Sequence, residues 1–232
     1  MNPLQPRSRT QILILMLAAT LIGYAGVSWF LDRQDSRLAS VSADAGPPGP
    51  PWRYGNAVAR FTIIEYADLE CPYCRDYAPI LRHWINRNPD VNLEWRHFPL
   101  PSHEPLATQQ ARLAECAGET GGHVGFWTAV DSIFAQQGQG SGLHGDSDHP
   151  AASRALQACL ESNRPDAVIQ GQRQEGMAQG VTGTPTLRLL DNQTGQSLML
   201  PGPADDNLLM SAFDMLAEQA TTAIPGEIDN EQ

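Results

Sequence analysis

Cys71-Pro72-Tyr73-Cys74 stands at the junction of two segments with different periodicity, and that junction constrains the fold more than any other feature of the chain. Before it, Phe61-Thr62-Ile63-Ile64-Glu65-Tyr66 has the β-branched and aromatic composition of a buried strand. After it, Tyr77, Ile80, Leu81, Trp84 and Ile85 recur at helical spacing. Pro72 falls where the first turn of a helix tolerates a proline. A cysteine pair at this position has a definite chemistry. The thiolate is the nucleophile in disulfide exchange, and the unpaired N–H groups of a helix N-terminus favour it. A second cysteine one turn on lies close enough to attack a mixed disulfide. Cys71 is therefore expected to be the exposed nucleophile, and Cys74 the resolving thiol.

The rest of the chain supplies a sheet and a helical block. Val91, Leu93 and Trp95 alternate in a second strand over Val91–Phe98, which Pro99 and Pro101 end. Helical patterns cover Leu106–Ala117, Val124–Ala135, Ala151–Leu160 and Pro165–Gln179, and Phe126, Trp127, Ile133 and Phe134 read as core. Gln136–Pro150, rich in Gly, Gln and Asp, reads as a surface loop. Thr184–Leu190 and Ser197–Leu200 return to strand character around the turn Asp191–Gln196, and Asp205–Glu218 closes with a helix. This order predicts an α/β chain with a helical insertion.

Ile12–Leu31 is uncharged, mostly apolar and long enough to cross a bilayer as one helix. Arg7 and Arg9 precede it, while Asp32, Arg33, Asp35 and Arg37 cancel behind it. The positive-inside rule then leaves residues 1–11 in the cytoplasm and puts the remainder across the membrane. The competing reading is a cleaved signal peptide with Val41-Ser42-Ala43 as its small-residue site, but that site lies well beyond an apolar run that is long for a signal. Both readings export the domain to a compartment where disulfides persist. Residues 32–53 include Gly46-Pro47-Pro48-Gly49-Pro50-Pro51, the composition of a stiff spacer. The domain is expected over 54–220, with its helical insertion at about 102–180, and 221–232 as a tail.

A zinc site is the main rival for the cysteine pair, and it needs two further ligands. Cys116 and Cys159 are far apart and have no near Cys or His partner in a zinc-ribbon pattern. Leu143-His144-Gly145-Asp146-Ser147-Asp148-His149 carries ligand-type side chains, but in a loop such residues are usually just solvated. His83 and His97 read as helix-surface and strand residues, and Glu70 as a surface acid. The formal net charge is −11 and every fixed cation is an Arg, so a nucleic-acid partner is not expected.

Phe61–Cys74, reading FTIIEYADLECPYC, resembles the active-site strand and motif of DsbA-like thioredoxin-fold proteins, and Val181-Thr182-Gly183-Thr184-Pro185-Thr186 resembles their cis-proline loop. Arg96-His97-Phe98-Pro99-Leu100 and the stretch Glu115-Cys116-Ala117 resemble parts of their helical insertion. The resemblance runs from about Tyr54 to Glu218. It implies a thioredoxin fold with a helical insertion, here preceded by one N-terminal transmembrane helix. It also implies that Thr184 and Pro185 face Cys71 and bind an extended substrate chain by its backbone. Glu65 matches a buried acid six residues before the nucleophile; a buried carboxylate has a raised pKa and would take the proton from Cys74 during resolution. His103 is similar to a histidine of many family members, without a role assigned to it. Cysteine pairs in the family's helical block suggest a structural Cys116–Cys159 disulfide, the alternative being two separately buried free thiols.

The implied activity is two-electron thiol–disulfide exchange with exported, cysteine-containing proteins, and no metal, flavin or nucleotide cofactor. As an oxidase the chain would be reoxidised by a quinone-linked membrane partner. As an isomerase or reductase it would draw electrons from a membrane donor. Pro72-Tyr73 and Thr184 also occur in isomerase-like members, but Arg33–Trp52 is too short and Pro-rich for their N-terminal dimerisation domain, so oxidase is favoured. A non-catalytic metal-binding or chaperone module is the remaining reading, and no Met- or His-rich stretch near Cys71 supports it.

Overall fold

The structure, a computed structural model, describes residues 49–137 and 150–222. Five strands among these residues form one sheet: β1 (Arg53–Tyr54), β2 (Phe61–Ala67), β3 (Val91–His97), β4 (Thr186–Asp191) and β5 (Ser197–Pro201). Their order is β1-β3-β2-β4-β5. β2 and β3 are parallel, with Glu65 opposite Trp95, and α1 (Pro72–Arg87) connects them. β4 lies antiparallel on the other side of β2, placing Leu187 opposite Glu65. The helical insertion comprises α2 (Leu106–Gln136), α3 (Pro150–Leu160) and α4 (Arg164–Ala178), and α5 (Asp206–Thr222) closes the fold.

Side chains alternate across a strand, so the two faces of β2 meet different partners. Ile63 and Ala67 join Leu93, Trp95, Leu187 and Leu189 in the main core, under Leu81 and Trp84 of α1, Phe213 of α5 and Phe126 and Ile133 of α2. Glu65 shares that face. Ile64 and Tyr66 point the other way, to Phe98 and Val181. There α4 comes close because Gly176 has no side chain: a Cβ would sit 2.8 Å from the Phe98 ring.

Two features differ from expectation. The helices expected at Leu106–Ala117 and Val124–Ala135 are joined into α2 across a break at Gly122, whose φ of 64° and ψ of −157° turn the chain between them. Trp52, assigned to the spacer, belongs to the core. It is 2% exposed and stacks on Phe126 with ring centroids 5.4 Å apart. Its indole covers Gly118, where a Cβ would lie 2.5 Å from the ring. The Trp52 carbonyl also accepts the Trp95 N–H at 3.1 Å. The domain thus begins before Tyr54.

Cys116 of α2 and Cys159 of α3 are joined in a disulfide with Cα atoms 5.6 Å apart. The separate-thiols alternative is thereby removed, and so are these two cysteines as zinc ligands beside Cys71 and Cys74. Ile12–Leu31, Val41–Ala43, most of the spacer, the His- and Asp-bearing loop and all but the first two residues of the 221–232 tail lie outside the described residues. Among the described residues, no helix is long and apolar enough to cross a membrane.

Candidate active site

Cys71 is the N-cap of α1, with φ −76° and ψ 120°, and Pro72 occupies the first helical turn. This arrangement follows from the local sequence. A proline has no N–H to lose there, so the free amides of the turn come from Tyr73 and Cys74. The Cys71 N–H is itself bound to the Asp68 carbonyl at 3.0 Å. Across the site, the Thr184–Pro185 peptide bond is cis, and the Cys71 thiol donates to the Thr184 carbonyl at 3.4 Å. Loop and motif, distant in sequence, therefore meet.

The two thiols have opposite proton affinities. Cys71 is held down to about 5: the Cys74 thiol hydrogen bond lowers it most, burial works against it, and Thr184 with the Cys74 and Tyr73 amides lowers it further. Cys74 is pushed far above the ordinary thiol range, mainly by burial, then by its bond to Cys71 and the nearby Glu65 charge. Hydrogen bonds aimed at the Cys71 sulfur stabilise its thiolate, while at Cys74 the one from the Asp68 backbone is outweighed by burial.

Glu65 is 1% exposed, and its Oε1 has no hydrogen-bond partner. Burial raises its pKa to about 8, with Arg82 opposing and Cys71 adding to the rise. Tyr77, on the inner face of α1, donates its hydroxyl to the Ala204 carbonyl at 2.8 Å, which ties α1 to the chain entering α5.

Several expectations need correction. Cys71 is 3% exposed, not an open thiol, and its sulfur meets the Thr184 carbonyl; Tyr73, at 68%, is the exposed part of the motif. Glu70 is only partly exposed, and its Oε1 is covered; burial raises its pKa. As expected, His83 is exposed on its helix and His97 lies on its strand, buried, with Nε2 3.1 Å from Glu115 Oε1. Neither touches the cysteines. Asp68, whose Oδ1 accepts the Glu70 N–H at 2.8 Å, is not singled out by the sequence reading, although an Asp just past a strand is a turn signal.

A family model described as thioredoxin matches residues 48–199. The chain belongs to the thioredoxin family. The structure of Pseudomonas aeruginosa DsbA2 is 48% identical and superposes with a TM-score of 0.67, covering 75% of this chain and 97% of that one. Within the thioredoxin family the chain is DsbA-like. Wolbachia pipientis alpha-DsbA1, 18% identical with a TM-score of 0.57, covers 77% and 96% and shares the fold. Curated relatives are of another kind. Na(+)/H(+) antiporter NhaA 1 of Salinispora arenicola is 38% identical over 85 residues, 37% of this chain and 13% of that protein. Na(+)/H(+) antiporter NhaA 3 of Salinispora tropica is 31% identical over 151 residues, 59% and 22% respectively. This DsbA-like chain thus spans less than a quarter of the length of these curated relatives.

Proposed function

We propose that this DsbA-like chain is an extracytoplasmic thiol–disulfide oxidoreductase that oxidises cysteine pairs of exported proteins through a Cys71–Cys74 disulfide. The observation that carries the reading is the placement of Cys71 at the N-cap of α1 against the cis Thr184–Pro185 peptide, with Cys74 fully buried behind it, an arrangement that lowers the proton affinity of Cys71 and raises that of Cys74. A substrate thiolate attacks Cys71 Sγ of the oxidised pair. The Cys71–Cys74 bond breaks, a Cys71–substrate bond forms, and Cys74 leaves and takes up a proton. A second substrate thiolate then attacks the substrate sulfur, closing the substrate disulfide and expelling Cys71 as thiolate. Two electrons have passed from substrate to enzyme. A leaving thiol of low pKa departs fast, and a stabilised thiolate favours the reduced enzyme, which makes the disulfide oxidising.

Glu65 suits the proton exchange with Cys74, being buried on the same face of β2 that α1 covers, with a pKa near neutrality. Thr184 and Pro185 would hold the substrate backbone beside Cys71. Reoxidation is assigned to a quinone-linked membrane partner, and anchoring to Ile12–Leu31. Fractionation of the host with mass measurement of the mature chain tests the anchor; a soluble product beginning at Asp44 would overturn it. Antiport is not part of the proposal, since the stretch shared with the antiporters is a small part of their length. The activity is tested by incubating the oxidised protein with a reduced, unfolded substrate. Stoichiometric substrate disulfide formation that Cys71→Ser abolishes is expected. No substrate oxidation, with scrambled disulfides rearranged instead, would assign the chain to the isomerases.

A further inference from the structure

The turn that delivers Cys71 to α1 is organised by one carboxylate that the reaction above does not use. Asp68 follows β2 directly and is 1% exposed. Its Oδ1 accepts the Glu70 N–H at 2.8 Å. Its Oδ2 accepts the Leu100 N–H at 2.9 Å and lies 2.7 Å from His103 Nδ1. Its backbone carbonyl accepts the Cys71 N–H at 3.0 Å. One residue thus binds two amides of the turn, with Glu70 on its side chain and Cys71 on its backbone. The same side chain ties that turn to the chain leaving β3 and to the imidazole beyond it.

A buried carboxylate without partners is costly, and one whose oxygens are filled by three donors is a rigid anchor. Removing it would leave the Glu70 and Leu100 amides without an acceptor in a covered place. The thiolate at Cys71 depends on geometry a few ångströms away, because its sulfur must sit over the Tyr73 and Cys74 amides. We infer that Asp68, clamped between the Leu100 amide and the His103 imidazole, is a positioning residue that holds Cys71 over the first turn of α1. The inference rests on the reading of Cys71 as the nucleophile. The His103 side chain reaches solvent, at 26% exposure. It fixes Asp68 from the surface side, with Nδ1 as the donor and Nε2 turned away from the carboxylate.

The sign of the effect separates positioning from mere proximity of charge. Asp68 is an anion near a thiolate, so as a charge alone its loss would lower the Cys71 pKa. As a positioning group its loss raises that pKa, because the sulfur moves off its donors. As a purely structural group its loss lowers the melting temperature and leaves the pKa of the folded protein in place. The test is thiolate absorbance titration of the reduced full chain, with the Cys116–Cys159 disulfide intact, in native, Asp68→Ala, Asp68→Asn, His103→Leu and His103→Gln forms. Asp68→Ala is expected to raise the Cys71 pKa by about one unit, a roughly tenfold loss of thiolate stabilisation. Asp68→Asn, which keeps an acceptor oxygen, is expected to fall between the two. If Asp68→Ala does not fold, the surface-side pair decides: His103→Leu raises the pKa and His103→Gln, which restores a donor, returns it toward native. An unchanged or lowered Cys71 pKa in Asp68→Ala, or equal values for the two His103 variants, overturns the inference. An ordinary thiol pKa for Cys71 in the native protein would instead overturn the reading on which it rests.

Discussion

Glu65→Gln should gain stability relative to the native protein as the pH rises. Burial raises the folded-state pKa of Glu65 from 4.5 to about 8. The sign follows from proton counting. Between these values the folded state keeps a proton that the unfolded chain has released, so each pH step costs folding free energy. The stability is fully present below about 4.5 and is lost progressively up to about 8. At 1.36 kcal/mol per unit, the loss between pH 4.5 and pH 7 is about 3 kcal/mol. Gln has the same shape and does not titrate, so the variant escapes that loss. The buried amide adds a constant offset from imperfect hydrogen bonding, and for that reason the pH slope matters, not the absolute difference. Urea unfolding of both proteins between pH 4.5 and 8 measures it, with Cys71–Cys74 oxidised so that neither thiol titrates. The expected result is a stability difference moving by about 3 kcal/mol in favour of Glu65→Gln from pH 4.5 to 7. Parallel pH profiles would mean that Glu65 ionises normally in the folded protein, and the burial argument would be wrong.

In Cys74→Ser, the attacking sulfur remains and the resolving one is gone, so mixed disulfides with substrates should accumulate and be visible on non-reducing gels; Cys71→Ser should trap none. With the reduced protein and a disulfide substrate, replacing Glu65 with Gln should slow release of the mixed disulfide by Cys74 more than its formation by Cys71 in rapid-quench measurements, because only the attack by Cys74 requires Cys74 to give up its proton to the acid. The double change Cys116→Ala and Cys159→Ala opens a link between positions 43 apart in sequence, and should destabilise by about 4 kcal/mol on the chain-entropy account. Its melting temperature should fall while substrate oxidation continues, since the disulfide staples α2 to α3 and touches neither Cys71 nor Cys74.

The elements that could be read from sequence are those whose signal is local. β2 is a continuous β-branched run, α1 opens on a proline and repeats its apolar residues at helical spacing, and Thr184-Pro185 sits directly before β4. These three carry the cysteines, Glu65 and the cis-proline loop, so most of the site was legible. What was not legible depends on contacts between distant residues. Trp52 follows a proline run and has no periodicity to mark it; only the missing side chain of Gly118 makes room for its ring. Gly121-Gly122 reads as a helix end, yet the chain resumes a helix after one unusual residue, and the second half of α2 is held by the Trp95 and Trp127 cluster. Cys71 is met across the site by the Thr184 carbonyl, more than a hundred residues away in sequence. Asp68 and His103 look like ordinary polar loop residues until the exit of β3 brings them together.

The reduction potential of the Cys71–Cys74 pair tests the central claim most directly, by equilibrating the purified protein in glutathione buffers of known ratio and counting its free thiols. A thiolate held at about 5 stabilises the reduced form, so a value clearly on the oxidising side of about −270 mV, toward about −120 mV, is predicted. A value near about −270 mV, where a dithiol reductase poises, would contradict the assignment of this chain as an oxidant of exported proteins.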